Sequence, residues 1–208
     1  VTWPTVTKRT GTYGDKWSDI VSFKDDGSAT LNGEKVDGEF TLVNPNGVPS
    51  VGASYEIQFK STDGKYTLTK MYGDAQIVKA DLIITAKDHT ITYGEAPTNN
   101  GVDYVGFVNG DDESALKDTL RYAYTYEQYG DIGKYEITPS GVTADNYDVK
   151  FEKGELTVNA KQLTVTAGTL KIEKTYDGTK SAGSERLGTA LTLTGVVNGD
   201  AVTVSYDI

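Results

Sequence analysis

Side chains able to do covalent or metal chemistry are scarce in this chain of 208 residues. It has no Cys and one His, which excludes disulfides, thiolate metal sites, Cys nucleophiles and multi-histidine cages. The single His89 stands in the run AKDHTITYG. That run alternates like a strand and supplies no second catalytic group, so His89 reads as a strand-rim residue rather than a general base. Acidic side chains are plentiful, 30 in all, and Asp111, Asp112 and Glu113 are consecutive. Three neighbouring carboxylates suit Ca²⁺, but they also suit the first turn of a short helix, where they complement the positive end of the dipole; the second reading is preferred. GxSxG elbows, phosphate loops, HExxH pairs and EF-hand spacing are all missing from the sequence. The expectation is a chain that is not an enzyme, with no metal and no cofactor.

Tyrosine is the other functional prospect. In RYAYTYEQYG, Tyr122, Tyr124 and Tyr126 alternate with Ala123, Thr125 and Glu127. Residues two apart on a strand share a face, so three rings should line one side. If they lie exposed and flat, they form a binding row on which a sugar stacks or a partner docks. If they face inward, they are core, and the opposite face offers too little apolar area to compete for burial. Core is the favoured expectation, with at least one hydroxyl reaching the rim.

The elements that position these residues are read from composition. Gly 23 and Tyr 14, set against Met 1, with abundant Thr and Val, predict strands joined by tight turns. Only NGDDESALKDTL looks helical, with Asp111 or Asp112 as its cap and at most two turns. The fold class expected is mainly β: tandem small β-rich modules, β-sandwich or β-grasp-like, in an elongated array, with at most one or two short helical turns.

A repeat of about 80 residues sets the organisation. TYG occurs at 12–14 and 92–94, and TYDG at 175–178. GASYEIQF answers GKYEITPS, VKADLIITA answers VNAKQLTVTA, and GFVNGDD recurs as GVVNGDA. Boundaries near Ala80 and Ala160 give a β-rich repeat at 1–80, an acidic, Tyr-rich module at 81–160 and a third at 161–208. Tyr13, Tyr93 and Tyr176 each end an extended run before a Gly-containing turn, which makes them structural first. The NGD turns at 109–111 and 198–200 read likewise as tight reversals. No Pro/Gly/Ser spacer separates Val78 from Leu82, so one module should feed directly into the next, each keeping its own core. A third unit of only 48 residues, in a chain that opens without Met, suggests a piece of a longer protein, cut inside a domain.

Charge narrows the partners. The net charge of −10 repels nucleic acid phosphates and anionic headgroups. No apolar run is long enough to span a bilayer as a helix. The middle module holds 6 basic and 15 acidic side chains and 8 of the 14 Tyr, a surface that suits cationic or glycan partners, or simply solubility.

KADLIITAKDHTITYGEAP, GFVNGDDESALKDTL and GDIGKYEITPSGVTADNYDVKFEKGELTVNAK together resemble the mostly-β, glycine-rich (MBG) domain of the YGX type, found in bacterial extracellular proteins. LTVTAGTLKIEKTYDGTKSA with LTLTGVVNGDAVTV resembles the opening of the related YDG domain. TGTYGDKWSDI with VDGEFTLVNPNGVPSVGASYEIQFKSTDGKYTLTK is similar to a repeat that precedes such units in large surface proteins. The resemblance implies a non-catalytic, extracellular module of a bacterial surface protein, attached or secreted, acting as stalk, spacer or adhesin segment. The partner expected is a host or bacterial glycan or a protein ligand, and the chain is expected to be a monomer within a longer protein. The alternative is a carbohydrate-binding or accessory domain of a surface enzyme.

Overall fold

The computed structural model describes residues 1–168, 170–171, 178, 187–188, 191–197 and 199–203. The expectations placed on Tyr176 and its turn lie outside the described residues, apart from Gly178. Strand takes 49% of the described residues and helix 4%, so the mainly-β reading holds.

In chain order the elements are β1 Val6–Thr12, α1 Trp17–Ile20, β2 Val21–Phe23, β3 Ala29–Leu31, β4 Glu34–Val36, β5 Gly38–Leu42, β6 Ser54–Ser61, β7 Thr67–Asp74 and β8 Gln76–Val78. They continue with β9 Ala80–Ala86, β10 His89–Thr92, β11 Val102–Val105, a 3-10 turn at Glu113–Ala115, β12 Arg121–Tyr124, β13 Gly133–Ser140, β14 Tyr147–Glu152 and β15 Gly154–Asn159. Four short strands follow: β16 Thr164–Thr166, β17 Leu170–Lys171, β18 Leu187–Gly188 and β19 Thr192–Thr194. The 3-10 turn is where the sequence predicts it, with the Asp112 carboxylate accepting from Ser114 N–H at 2.8 Å. The four-residue α1 is additional. Its N-cap Lys16 makes no side-chain cap bond, so the usual helix-start signal is absent from the sequence.

The chain folds as two compact units, which cut across the sequence repeats. The first holds residues 1–87, 101–123 and 138–153; the second holds 88–100, 124–137 and 154–208. The stretch 81–160 is thus shared between them.

In the first unit β5–β6–β7 is an antiparallel sheet, β2–β1–β8 a second and β11–β9–β14 a third. Alternation does the sorting: β6 turns Tyr55, Ile57, Phe59 and Ser61 inward, and β9 turns Ala80, Leu82, Ile84 and Ala86 inward. The resulting core joins Tyr13, Trp17, Ile20, Tyr55, Ile57 and Ile77 to Leu82, Ile84, Val142 and Tyr147. It is continuous across Ala80. Separate cores on either side of that residue, expected from the repeat, are therefore not what forms. The physical reason is area: the first repeat exposes an apolar face around Trp17, Ile20 and Tyr55 that a small unit cannot cover alone, and β9 follows β8 after one residue with its own apolar face ready. Each large side chain so covered contributes on the order of 2 kcal/mol.

The second unit is built on β10, β15 and the first part of β13, in the order β10–β15–β13. β10 runs parallel to β15, from His89 opposite Leu156 to Thr92 opposite Asn159, and β13 runs antiparallel to β15. Ile91, Tyr126, Ile137, Leu156 and Val158 are buried. β16 pairs with β19 antiparallel, Thr164 opposite Thr194.

Candidate functional site

The tyrosine row alternates as period two requires: Tyr122 and Tyr124 are half-buried, Tyr126 is 2% exposed, and Ala123, Thr125 and Glu127 face solvent. Tyr126 packs on Tyr135 at 5.0 Å between ring centroids, so it presents no open ring face. The Tyr124 hydroxyl accepts from the Asn99 side-chain amide at 3.0 Å. His89 lies half-buried on β10 with its ring Nε2 3.0 Å from Thr98 Oγ1. Elsewhere, the Tyr72 ring stacks on Tyr55 at 5.1 Å and Lys70 Nζ sits 4.8 Å from its centroid.

What the structure does bring together is two pairs of turns that the sequence reading counted separately. In the first unit β1 runs out into Thr12-Tyr13-Gly14-Asp15. The turn closes on itself, with Asp15 N–H donating to Thr12 O at 3.0 Å and Thr12 N–H donating to the Asp15 carboxylate at 2.8 Å. Tyr13 N–H donates to Val78 O at 2.9 Å, continuing the parallel pairing of β1 with β8. The Tyr13 hydroxyl then donates to Asp111 Oδ2 at 2.8 Å. Asp111 is presented by a tight loop closed by its own N–H to Val108 O at 3.0 Å, with Asn109 and Gly110 at φ of 58° and 77°. Val108 fills the space over Gly14: a Cβ there would lie 2.9 Å from Val108 Cγ2. Gly14 has a φ of 105°, so it is required by both backbone and packing.

The second unit repeats this lock. Glu95 N–H donates to Thr92 O at 3.0 Å and Thr92 N–H to the Glu95 carboxylate at 2.6 Å. Tyr93 N–H donates to Asn159 O at 2.8 Å, and its hydroxyl to Asp200 Oδ2 at 2.8 Å. Asp200 N–H closes its loop on Val197 O at 3.1 Å. A Cβ on Gly94 would lie 2.9 Å from Val197 Cγ2. In each of two successive repeats the Tyr-Gly turn thus holds a Val and an Asp of the next, by a phenol on a carboxylate and a valine on a glycine.

The first lock has a third member. Tyr147, on β14 and 2% exposed, donates to the same Asp111 oxygen at 2.7 Å, accepts from Val108 N–H at 3.1 Å and meets the Tyr13 ring edge to face at 5.3 Å. Burial, with Asp111 beside it, pushes the Tyr147 phenol up to about 12. Burial and then Asp111 raise Tyr13, whereas the hydrogen bond to Asp200 is the main cause of the rise at Tyr93.

The acidic cluster is therefore divided by task. Asp111 holds two phenols, and Asp112 caps the 3-10 turn, a bond that lowers its carboxyl below the usual range. Among the described residues no group of three or more His, Cys, Asp or Glu is placed to hold a metal ion. The chemistry of this site is holding, since each carboxylate is met by phenol or backbone donors.

The residues of the second lock fall within a recognised pattern. Residues 82–157 match the MBG domain (YGX type). The stretch that follows, 159–207, matches the YDG domain. The Tyr93-Gly94 turn lies inside the MBG match, and its partners Val197 and Asp200 lie inside the YDG match. The Tyr13 turn precedes the MBG match, and its partners Val108 and Asp111 lie inside it. MBG and YDG domains occur in surface-type proteins. No curated protein matches the chain.

The pairing itself escaped the sequence reading, although a signal for it existed. TYG and VNGD recur together, and each Asp follows its Tyr by about 100 residues, one repeat and a further strand or so: 13 to 111, 93 to 200.

Proposed function

We propose that this chain is a non-catalytic, extracellular segment of a bacterial surface protein, acting as a stalk or spacer that sets an adhesive or other functional part away from the cell. The observation that carries the reading is the twice-repeated lock, in which the Tyr-Gly turn of one repeat is bound to the Val-Asn-Gly-Asp loop of the next. A device that recurs at each repeat joins consecutive repeats, and joining is what a spacer needs. The MBG and YDG matches support it through the kind of protein in which these domains occur. The neutral-to-acidic surface agrees with a segment that avoids phosphates and anionic headgroups.

The test is display on a bacterial surface between an anchor and an epitope tag. The folded chain should carry the tag beyond the surface layer to antibody, and a Tyr93→Phe/Asp200→Asn variant should shorten or blur that reach. Saturable, sugar-specific binding of the whole chain on a glycan array, abolished by Tyr124→Ala with melting unchanged, would replace this reading with that of a carbohydrate-binding domain.

A further inference from the structure

We infer that the chain is built to bear tension along its length, through parallel clamps that pair the strand entering each Tyr-Gly turn with a strand near the end of the same repeat. In the second unit β10 opens the paired region and β15 closes it. Their pairing is parallel over four positions, His89–Thr92 with Leu156–Asn159. Tyr93 N–H to Asn159 O at 2.8 Å adds a further bond. In a parallel pair the incoming end of one strand and the outgoing end of the other lie at opposite ends of the ladder. A pull that enters ahead of His89 and leaves after Asn159 therefore slides the strands along their axis and loads every rung together. An antiparallel hairpin pulled at its adjacent ends opens rung by rung instead. Ile91, Leu156 and Val158 are buried, which keeps water from replacing the strained bonds.

The first unit has the same arrangement with different residues. β1 pairs parallel with β8, Thr10–Thr12 with Gln76–Val78, and Tyr13 N–H to Val78 O at 2.9 Å adds the last bond. In both places the tyrosine of the lock stands at the end of the clamp. Its backbone ties it to the outgoing strand and its hydroxyl to the next repeat's aspartate. Load leaving one repeat is thus shared with the next. The biological use rests on the stalk reading, but the mechanical property does not.

The measurement is single-molecule force spectroscopy on the whole chain, which has no Cys of its own, with thiol or click handles at two chosen sites. Handles at Thr90 and Ala160 load the β10–β15 clamp largely along the strands. Handles at Thr90 and Thr157, which face each other, peel it apart. All three residues are exposed or half-buried. The rupture force at one loading rate should be at least about twofold higher for the first pair, because rungs break together rather than in turn. Thr10 with Lys79, against Thr10 with Gln76, repeats the comparison in the first unit should a handle disturb the second. Equal forces in the two geometries, in both units, overturn the inference and leave the surface-display result standing.

Discussion

Tyr147→Phe is the sharpest probe of the lock, because it removes one oxygen and leaves the ring where it is. The phenol donates to the Asp111 carboxylate at 2.7 Å and accepts from Val108 N–H at 3.1 Å, at a site 2% exposed. A hydrogen bond to a charged acceptor contributes about 1.5–3 kcal/mol, and a buried N–H left without its acceptor costs about 1 kcal/mol more. Ring burial is unchanged, so the expected loss is about 2–4 kcal/mol. Tyr13→Phe removes only the 2.8 Å bond to Asp111 and should cost about 1.5–3 kcal/mol. Since both phenols serve one oxygen, the double variant should depart from the sum of the singles by at least about 0.5 kcal/mol. Urea unfolding followed by tryptophan fluorescence is the assay, and it reads the relevant part of the chain: Trp3 and Trp17 both belong to the first unit, Trp17 in its core. A Tyr147→Phe protein within about 0.5 kcal/mol of the parent would refute the reasoning, for Asp111 would then be solvated rather than held.

Three further outcomes are expected. Gly106→Ala should destabilise the first unit by on the order of 3 kcal/mol or more, since the new methyl would sit 2.2 Å from the Asp81 carbonyl oxygen at a φ of 117°; thermal melting measures it. Tyr126→Phe should be neutral to within about 0.5 kcal/mol or stabilising, because its buried hydroxyl has no hydrogen-bond partner among the described residues; a loss above about 1 kcal/mol would contradict that. Alkaline unfolding should begin as the solution passes pH 10. The Tyr147 phenol is raised from its ordinary 10 to about 12 in the fold, so the stability it brings is complete below 10 and is lost as pH climbs towards 12. That loss should be smaller in Tyr147→Phe.

Local features were legible in the sequence because local rules govern them. That Tyr122, Tyr124 and Tyr126 share the less exposed side follows from period two together with their apolar area, and Asp112 at the 3-10 turn follows from cap chemistry. The Tyr-Gly turns could be located by their recurrence. What the sequence left open was which partner each surface takes. The repeat says that Tyr13 and Tyr93 are equivalent, yet not that each reaches a loop about 100 residues on; that depends on β9 pairing with β14 and β10 with β15, contacts whose sequence separation hides them from any window. The continuous core across Ala80 escaped for the same reason. Leu82 and Ile84 show that β9 has an apolar face, and nothing in their spacing says whose core it completes.

That each compact unit takes strands from neighbouring repeats bears on how such a chain can change in length. A gene encoding one repeat after another recombines most readily between its own copies, gaining or losing a whole repeat in a single crossover. Because the Tyr-turns recur 80 and 83 residues apart and the Val-Asn-Gly-Asp loops 89, an exchange in register returns every turn to an equivalent loop and every apolar strand face to an equivalent cover. An exchange out of register strands Leu82, Ile84 or their counterparts in water, and the product does not fold. The interlocked architecture thus acts as a proofreader on the genome: it admits chains of many lengths, provided they differ by whole repeats.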